Sequence, residues 1–308
     1  MIAGLLAKQI AELFIIIAIG FIITKLGLVK TKDSKVLSTI ALYVINPCIV
    51  INSFQVEYSE EIQKGLIYSF LAAILIHILY ITLATILKKI FKLNGIEMDS
   101  IIYTNCGNLI IPIILALFGK EWVIYTTGYI LVQTLLVWTH GVMVVCETKE
   151  FDIKKVLSNI NVIACILGIA LFALHIQFPS IITETMDSIT SMVGPLCMLV
   201  AGMLIADMDI KKYVTNIRMY LLILVKMLIF PLAALALLKI CNFESMINNG
   251  KMIFLITLLG CSAPTATIIT QLAQVYDKDS ELASAYYFIT TLLCIVTMPM
   301  LTWLFQTI

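Results

Sequence analysis

NCGNLIIPII, residues 105–114, lies in a stretch with no charged residue between Asp99 and Lys120. A segment apolar enough to cross a membrane therefore carries two asparagines, a glycine and a proline at its middle. Proline in a helix interior removes one backbone hydrogen bond and clashes with the preceding turn. In lipid the freed carbonyls have no water to turn to. Either neighbouring groups compensate, or this backbone faces a cavity instead of hydrocarbon.

The composition of the chain says which solvent is meant. Hydrophobic residues make up 61% of the 308 residues and charged ones 13%, where a soluble domain carries about 25% charged. Mean hydropathy is +1.05. The class is an all-α polytopic membrane protein. The net charge of +1 says nothing about partners, and no basic run suggests nucleic acid, so no nucleic-acid partner is expected. The first residues lack the charged n-region and cleavage site of a signal peptide and lead straight into a first span. Cysteines at 48, 106, 146, 165, 197, 241, 261 and 294 form no CxxC and have no histidine at ligand spacing. They read as helix-packing residues, and neither a metal nor a cofactor is expected.

A spanning helix needs about 20 mostly apolar residues. That ruler predicts ten spans, at 5–25, 36–54, 65–87, 100–118, 122–145, 161–178, 186–206, 217–238, 251–273 and 282–305. Cytoplasmic loops collect Lys and Arg. The odd-numbered loops hold Lys25, Lys30, Lys32, Lys35, Lys88, Lys89, Lys92, Lys149, Lys154, Lys155, Lys211, Lys212, Arg218 and Lys278. The even-numbered loops hold only Lys64, Lys120, Lys239 and Lys251. This places the odd loops in the cytoplasm and both termini outside, in the plasma membrane.

The opening stretch has a partner, GCSAPTATIITQ at 260–271 in the ninth span. Pro112 and Pro264 each follow small or polar residues near the middle of a span. Asn46-Pro47 interrupts span two, and Gly194-Pro195 interrupts span seven. Two halves with the same punctuation, residues 1–146 and 161–308 joined by a linker over 147–160, make an inverted five-plus-five repeat, because five spans reverse the entry side. Paired interrupted helices at matching places in inverted halves point to a transporter's binding site. Half-helices beginning near Pro112 and Pro264 would aim partly positive N-terminal ends at one cavity. Asn105, Asn108, Ser262, Thr265 and Thr267 add polar side chains. Such a place suits an anion, particularly a carboxylate.

At these residues the chain resembles the auxin efflux carrier family, within the bile/arsenite/riboflavin/auxin transporter superfamily. The carrying residues are the NP of span two, GNLIIP, YILVQTLLVW (129–138), and AP followed by QVYDKDSELASAYYFITTLL. The resemblance implies a fold like that of bile-acid symporters and sodium/proton antiporters, with helices four and nine broken and crossing. It implies a scaffold of spans 1, 2, 6 and 7 and a moving transport domain of spans 3–5 and 8–10. Substrate would bind beside the crossing, at Asn108, Pro112, Gln133 and Pro264. The expected partners are a small organic anion, membrane lipid and a second copy through the scaffold. The long cytoplasmic loop of the plant members is absent.

Ionisable groups inside a membrane are functional candidates by default. Lys226, in LLILVKMLIF of span eight, reads either as a cation facing the anion or as a lysine whose stem snorkels to the surface. His77 reads as an interhelical hydrogen-bonding residue and Glu12 as structural. Spans four and nine, as bounded above, hold no Asp or Glu, which removes an antiporter built on a carboxylate pair. No Ser/His pair or HExxH lies in a span, so no enzyme is expected. The expected function is elevator-type alternating access of a malonate- or auxin-like carboxylate. A sodium-coupled symporter of amphipathic anions and a non-transporting membrane sensor are the alternatives.

Overall fold

Apolar runs in lipid fold as helices because each helix satisfies its own backbone groups. The computed structural model describes residues 2–147, 154, 157–206 and 216–307. Among them the chain is helical, with no strand. The helices are α1 (Ile2–Lys25), α2 (Thr31–Ser53), α3 (Glu60–Phe91), α4 (Gly95–Ile102), α5 (Ile110–Phe118) and α6 (Lys120–Cys146). The second part contributes α7 (Ile160–Ala173), α8 (Ser180–Ala206), α9 (Ile217–Cys241), α10 (Gly250–Ser262), α11 (Thr267–Val275) and α12 (Ser280–Thr307). Most of the expected linker, with Lys149 and Lys155, lies outside the described residues, as do Lys211 and Lys212.

Six of these helices, α2, α3, α6, α8, α9 and α12, are long and apolar enough to cross a membrane. Helices α7 and α10 are apolar but shorter. Large apolar side chains face outward along many of them, including Ile15, Ile22, Ile67, Ile78, Ile163, Leu221, Val296 and Trp303. Outward apolar side chains on successive helices are what a lipid-facing surface requires.

The structure corrects the boundaries drawn above. The segment that carries the opening stretch begins at Gly95, not at residue 100, because Asn94 and Glu97 form a reciprocal capping box there. Arg218 of α9 holds the Glu97 carboxylate through two hydrogen bonds of 2.7 and 2.6 Å. The capping box thereby carries Asp99 into the protein interior, where it is fully buried. Asn46-Pro47 does not break α2 either. A wide π turn at Ala41–Ile45 precedes it and absorbs the proline's missing N–H. At Gly194-Pro195 the distortion is a single turn at Met192 between Ser180–Ser191 and Val193–Ala206.

Small residues set the closest helix approach. On α1 a β-carbon at Gly20 would strike the carbonyl of Leu199, and on α8 one at Gly202 would strike the carbonyl of Ile17. Such backbone-to-backbone approach is the usual means of helix association in lipid. Gly202→Ala should force α1 and α8 apart at a cost of about 1–3 kcal/mol. The check is a lower melting temperature of the purified protein. Gly107→Ala, where a β-carbon meets nothing within 4 Å, should melt like wild type.

Candidate functional site

The two interrupted segments meet at their interruptions. Between α4 and α5 the chain leaves the helix over 103–109, and between α10 and α11 over 263–266. Thr104 and Thr265 pair there as an isolated antiparallel bridge. The Asn105 N–H donates to the Pro264 carbonyl at 2.7 Å, and the Ala266 N–H donates to the Tyr103 carbonyl at 3.1 Å. Each break supplies part of the hydrogen bonding that the other lost.

Side chains from other helices supply the rest. The last carbonyls of a helix have no partner within it. At the end of α4 the Ser100 carbonyl accepts from Thr265 Oγ1 at 2.9 Å. Those of Ile102 and Tyr103 accept from Lys226 Nζ at 3.4 and 3.2 Å. Gln133 of α6 clamps Thr104 from both sides. Its Oε1 accepts from the Thr104 N–H at 2.9 Å, and its Nε2 donates to the Thr104 carbonyl at 2.7 Å. At the end of α10, the Gly260 carbonyl accepts from Thr104 Oγ1 and the Cys261 carbonyl from Tyr80. The Thr265 N–H donates to Thr290 of α12. This explains how proline and asparagine are tolerated mid-segment: the carbonyl ends are closed by five side chains, Tyr80, Gln133 and Lys226 from three other helices and Thr104 and Thr265 from the two breaks themselves.

The opposite side of the crossing is open. Gly107, Asn108, Thr267 and Ile268 are the partly exposed positions on otherwise buried stretches of the two segments. They stand at the N-terminal ends of α5 and α11, nine residues each, and neither end carries a side-chain cap. Asn108 Nδ2 donates to Thr267 Oγ1 at 3.3 Å, while its Oδ1 accepts from Asn46 Nδ2 of α2 at 3.4 Å. The Asn46 Oδ1 is buried without a partner. Two uncapped helix ends and three polar side chains thus surround one partly open place. Both helix dipoles turn their positive ends toward it, although on α5 the Ile111 N–H donates to the Gly107 carbonyl at 3.2 Å and Pro112 has none.

The expected residues are distributed unevenly about this place. Asn108, Thr267 and Asn46 come together at its mouth. Asn105, Ser262, Pro264 and Thr265 are buried in the crossing itself. Pro264 lies within its break, whereas Pro112 lies in the first turn of α5, where a missing N–H costs little. Pro112 packs on the α-carbon side of Gly194, which brings two of the sequence's punctuation marks into contact. Pro47 is buried in α2, and Pro195 sits in the turn after Met192. Lys226 does not snorkel: it is 1% exposed, in a π turn at Val225–Ile229. His77 Nδ1 contacts the Ala73 carbonyl of its own helix, and its ring packs on Tyr129 of α6 at 4.6 Å. Glu12 pairs with Lys8 on the surface. Thr104, Tyr80 and Thr290 escaped the sequence reading. Thr104 stands directly before NCGN, which was the available signal.

A second feature joins α2, α5, α6 and α8. A cavity of about 30 Å³ lined by Ile49, Asn52, Leu115, Asp187 and Thr190 lies beneath an ion pair between Lys120 and Asp187 at 2.7 Å. Asn52 Nδ2 also donates to Asp187 at 2.7 Å.

The family model for the membrane transport proteins matches residues 5–302. The chain belongs to this auxin efflux carrier-like family of membrane transporters. An uncharacterized transporter of the archaeon Methanocaldococcus jannaschii is 23% identical over 305 residues, covering 94% of this chain and 96% of the relative. The protein is a transporter, not an enzyme.

Proposed function

We propose that this transporter moves a small organic anion, a malonate- or auxin-like carboxylate, across the plasma membrane by elevator-type alternating access. The observation that carries the reading is the pair of uncapped helix ends, α5 and α11, meeting beside Asn108 and Thr267. Helix N-termini bind carboxylates through free N–H groups and the helix dipole. In this reading Asn108, Thr267 and Asn46 line the ligand, and Gln133 and Lys226 hold the break that aims the helix ends.

The ten-span inverted repeat, with both termini outside, is the topology that accompanies it, supported by the loop-charge asymmetry. Helix α8 packs on α1 and α2, and α2 on α7, while α3, α6 and α10 pack on one another and α7 also touches α6. That grouping favours the scaffold and the transport domain as separate bodies, although α1 also lies along α12. The Lys120–Asp187 pair would then bridge the two bodies and have to part during the stroke.

A thermal-shift screen of carboxylates on the purified protein, followed by flux of the labelled hit into proteoliposomes, tests the proposal. Saturable flux supports a transporter of that anion; binding without flux supports the sensor. Asn108→Ala should weaken the hit's binding by about tenfold, the equivalent of one hydrogen bond of about 1.4 kcal/mol. Unchanged affinity would remove Asn108 from the site.

A further inference from the structure

Asp99 is 0% exposed, and neither of its carboxyl oxygens has a hydrogen-bond partner. It lies on α4, one turn before the break. An ionised carboxylate without a partner in such a place costs several kcal/mol even after relaxation. The group therefore carries its proton in this conformation. We propose that Asp99 is a proton-binding site whose occupancy is locked to the conformation of the crossing.

The surroundings suit a site that fills and empties. A π turn at Val137–Gly141 of α6 brings Gly141 and His140 to this part of α4. A methyl at Gly141 would stand 3.3 Å from Asp99 Oδ2 and 3.1 Å from the Tyr103 ring, so glycine leaves the carboxyl its room. His140 is partly exposed, and its Nδ1 lies 2.8 Å from the Tyr103 hydroxyl, which also donates to the Leu136 carbonyl at 3.1 Å. The buried Tyr103 and the partly exposed His140 thus form a hydrogen-bonded pair beside Gly141 and the carboxyl.

The charged and titratable groups on the elements packed against α4 are few among the described residues. Helix α3 carries Lys88, which is exposed. Helix α6 carries His140 and Cys146, and α12 carries Glu281, Tyr286 and Tyr287. Helix α9 presents Arg218, already engaged with Glu97, and Lys226, engaged with the Ile102 and Tyr103 carbonyls. Helix α11 presents none. Among the described residues no hydrogen bond or ion pair reaches the Asp99 carboxyl oxygens.

The chemistry is a proton equilibrium. Opening this region to water lets the carboxyl release its proton to solvent, leaving an aspartate anion; only the O–H bond breaks. Burial requires the proton back. Proton occupancy and conformation are then linked reciprocally, and a pH gradient can bias the stroke. The coupling role rests on the transport reading above; the proton site rests on the buried carboxyl alone.

The test has two arms. Infrared difference spectra of the purified protein at neutral pH should show the C=O stretch of a protonated carboxyl, lost in Asp99→Asn. Gly141→Ala should shift the band, which keeps the assignment open to test if Asp99→Asn does not fold. A wild type without the band, or a band unaffected by both variants, overturns the proton site. In proteoliposomes loaded for labelled malonate uptake, Asp99→Asn should abolish acceleration by a pH gradient while exchange at equal pH persists. A gradient response equal to that of wild type overturns the coupling. If wild type moves no malonate, that result counts against the carboxylate reading, and the infrared band still decides the proton site.

Discussion

Gln133→Leu should lower the stability of the protein by about 2–6 kcal/mol. The leucine keeps the bulk at a buried position but strips both partners from Thr104. Its N–H and its carbonyl would then be stranded inside the crossing, and each unsatisfied buried group costs about 1–3 kcal/mol. Thr104 Oγ1 would keep its bond to the Gly260 carbonyl, so the bridge to Thr265 would be loosened instead of erased. Thermal unfolding of the purified variant is the measurement. A variant that melts with wild type would mean that water, or a shift of the backbone, replaces the amide. In that case Gln133 becomes free to face a ligand, as the family resemblance implies.

Lys226→Glu should have an effect of similar size or larger. It places a carboxylate against the carbonyl oxygens of Ile102 and Tyr103, at a helix end that is already partly negative. An uncompensated buried charge of this kind costs about 3–5 kcal/mol, and little folded protein is expected. Lys226→Met separates structure from ligand binding. It removes the desolvation cost of a buried ammonium but leaves the Ile102 carbonyl unpaired, two terms of opposite sign, so folded protein should be recovered. Two of the three ammonium donors are spent on the break. The dissociation constant of the anion should therefore change by less than about threefold, or about 0.6 kcal/mol. A fall in affinity of roughly 30-fold to 1,000-fold, the range for a few kcal/mol of direct charge contact at an effective dielectric near 20, would instead put Lys226 in the site.

How far these features could be read in advance follows from what a local sequence encodes. Apolar length and loop charge depend only on neighbours along the chain, so the membrane class and the places where helices lose regularity were legible from NCGNLIIPII and GCSAPTATIITQ. The pairing of those two stretches was legible too, because the punctuation recurs. What replaces a lost hydrogen bond was not. Thr104 is held by a residue 29 positions away, Tyr103 by one 123 away, and Ser100 by one 165 away. A polar side chain in a span reads the same whether it faces a ligand or a stranded carbonyl. Only the packing divides Asn108 and Thr267, at the open mouth, from Gln133 and Lys226, spent on the break. Asp99 shows the same division from the other direction. The span predicted from the sequence begins one residue after it, at 100. The Asn94–Glu97 capping box, neutralised by Arg218 from a distant helix, extends α4 past it and takes it out of water.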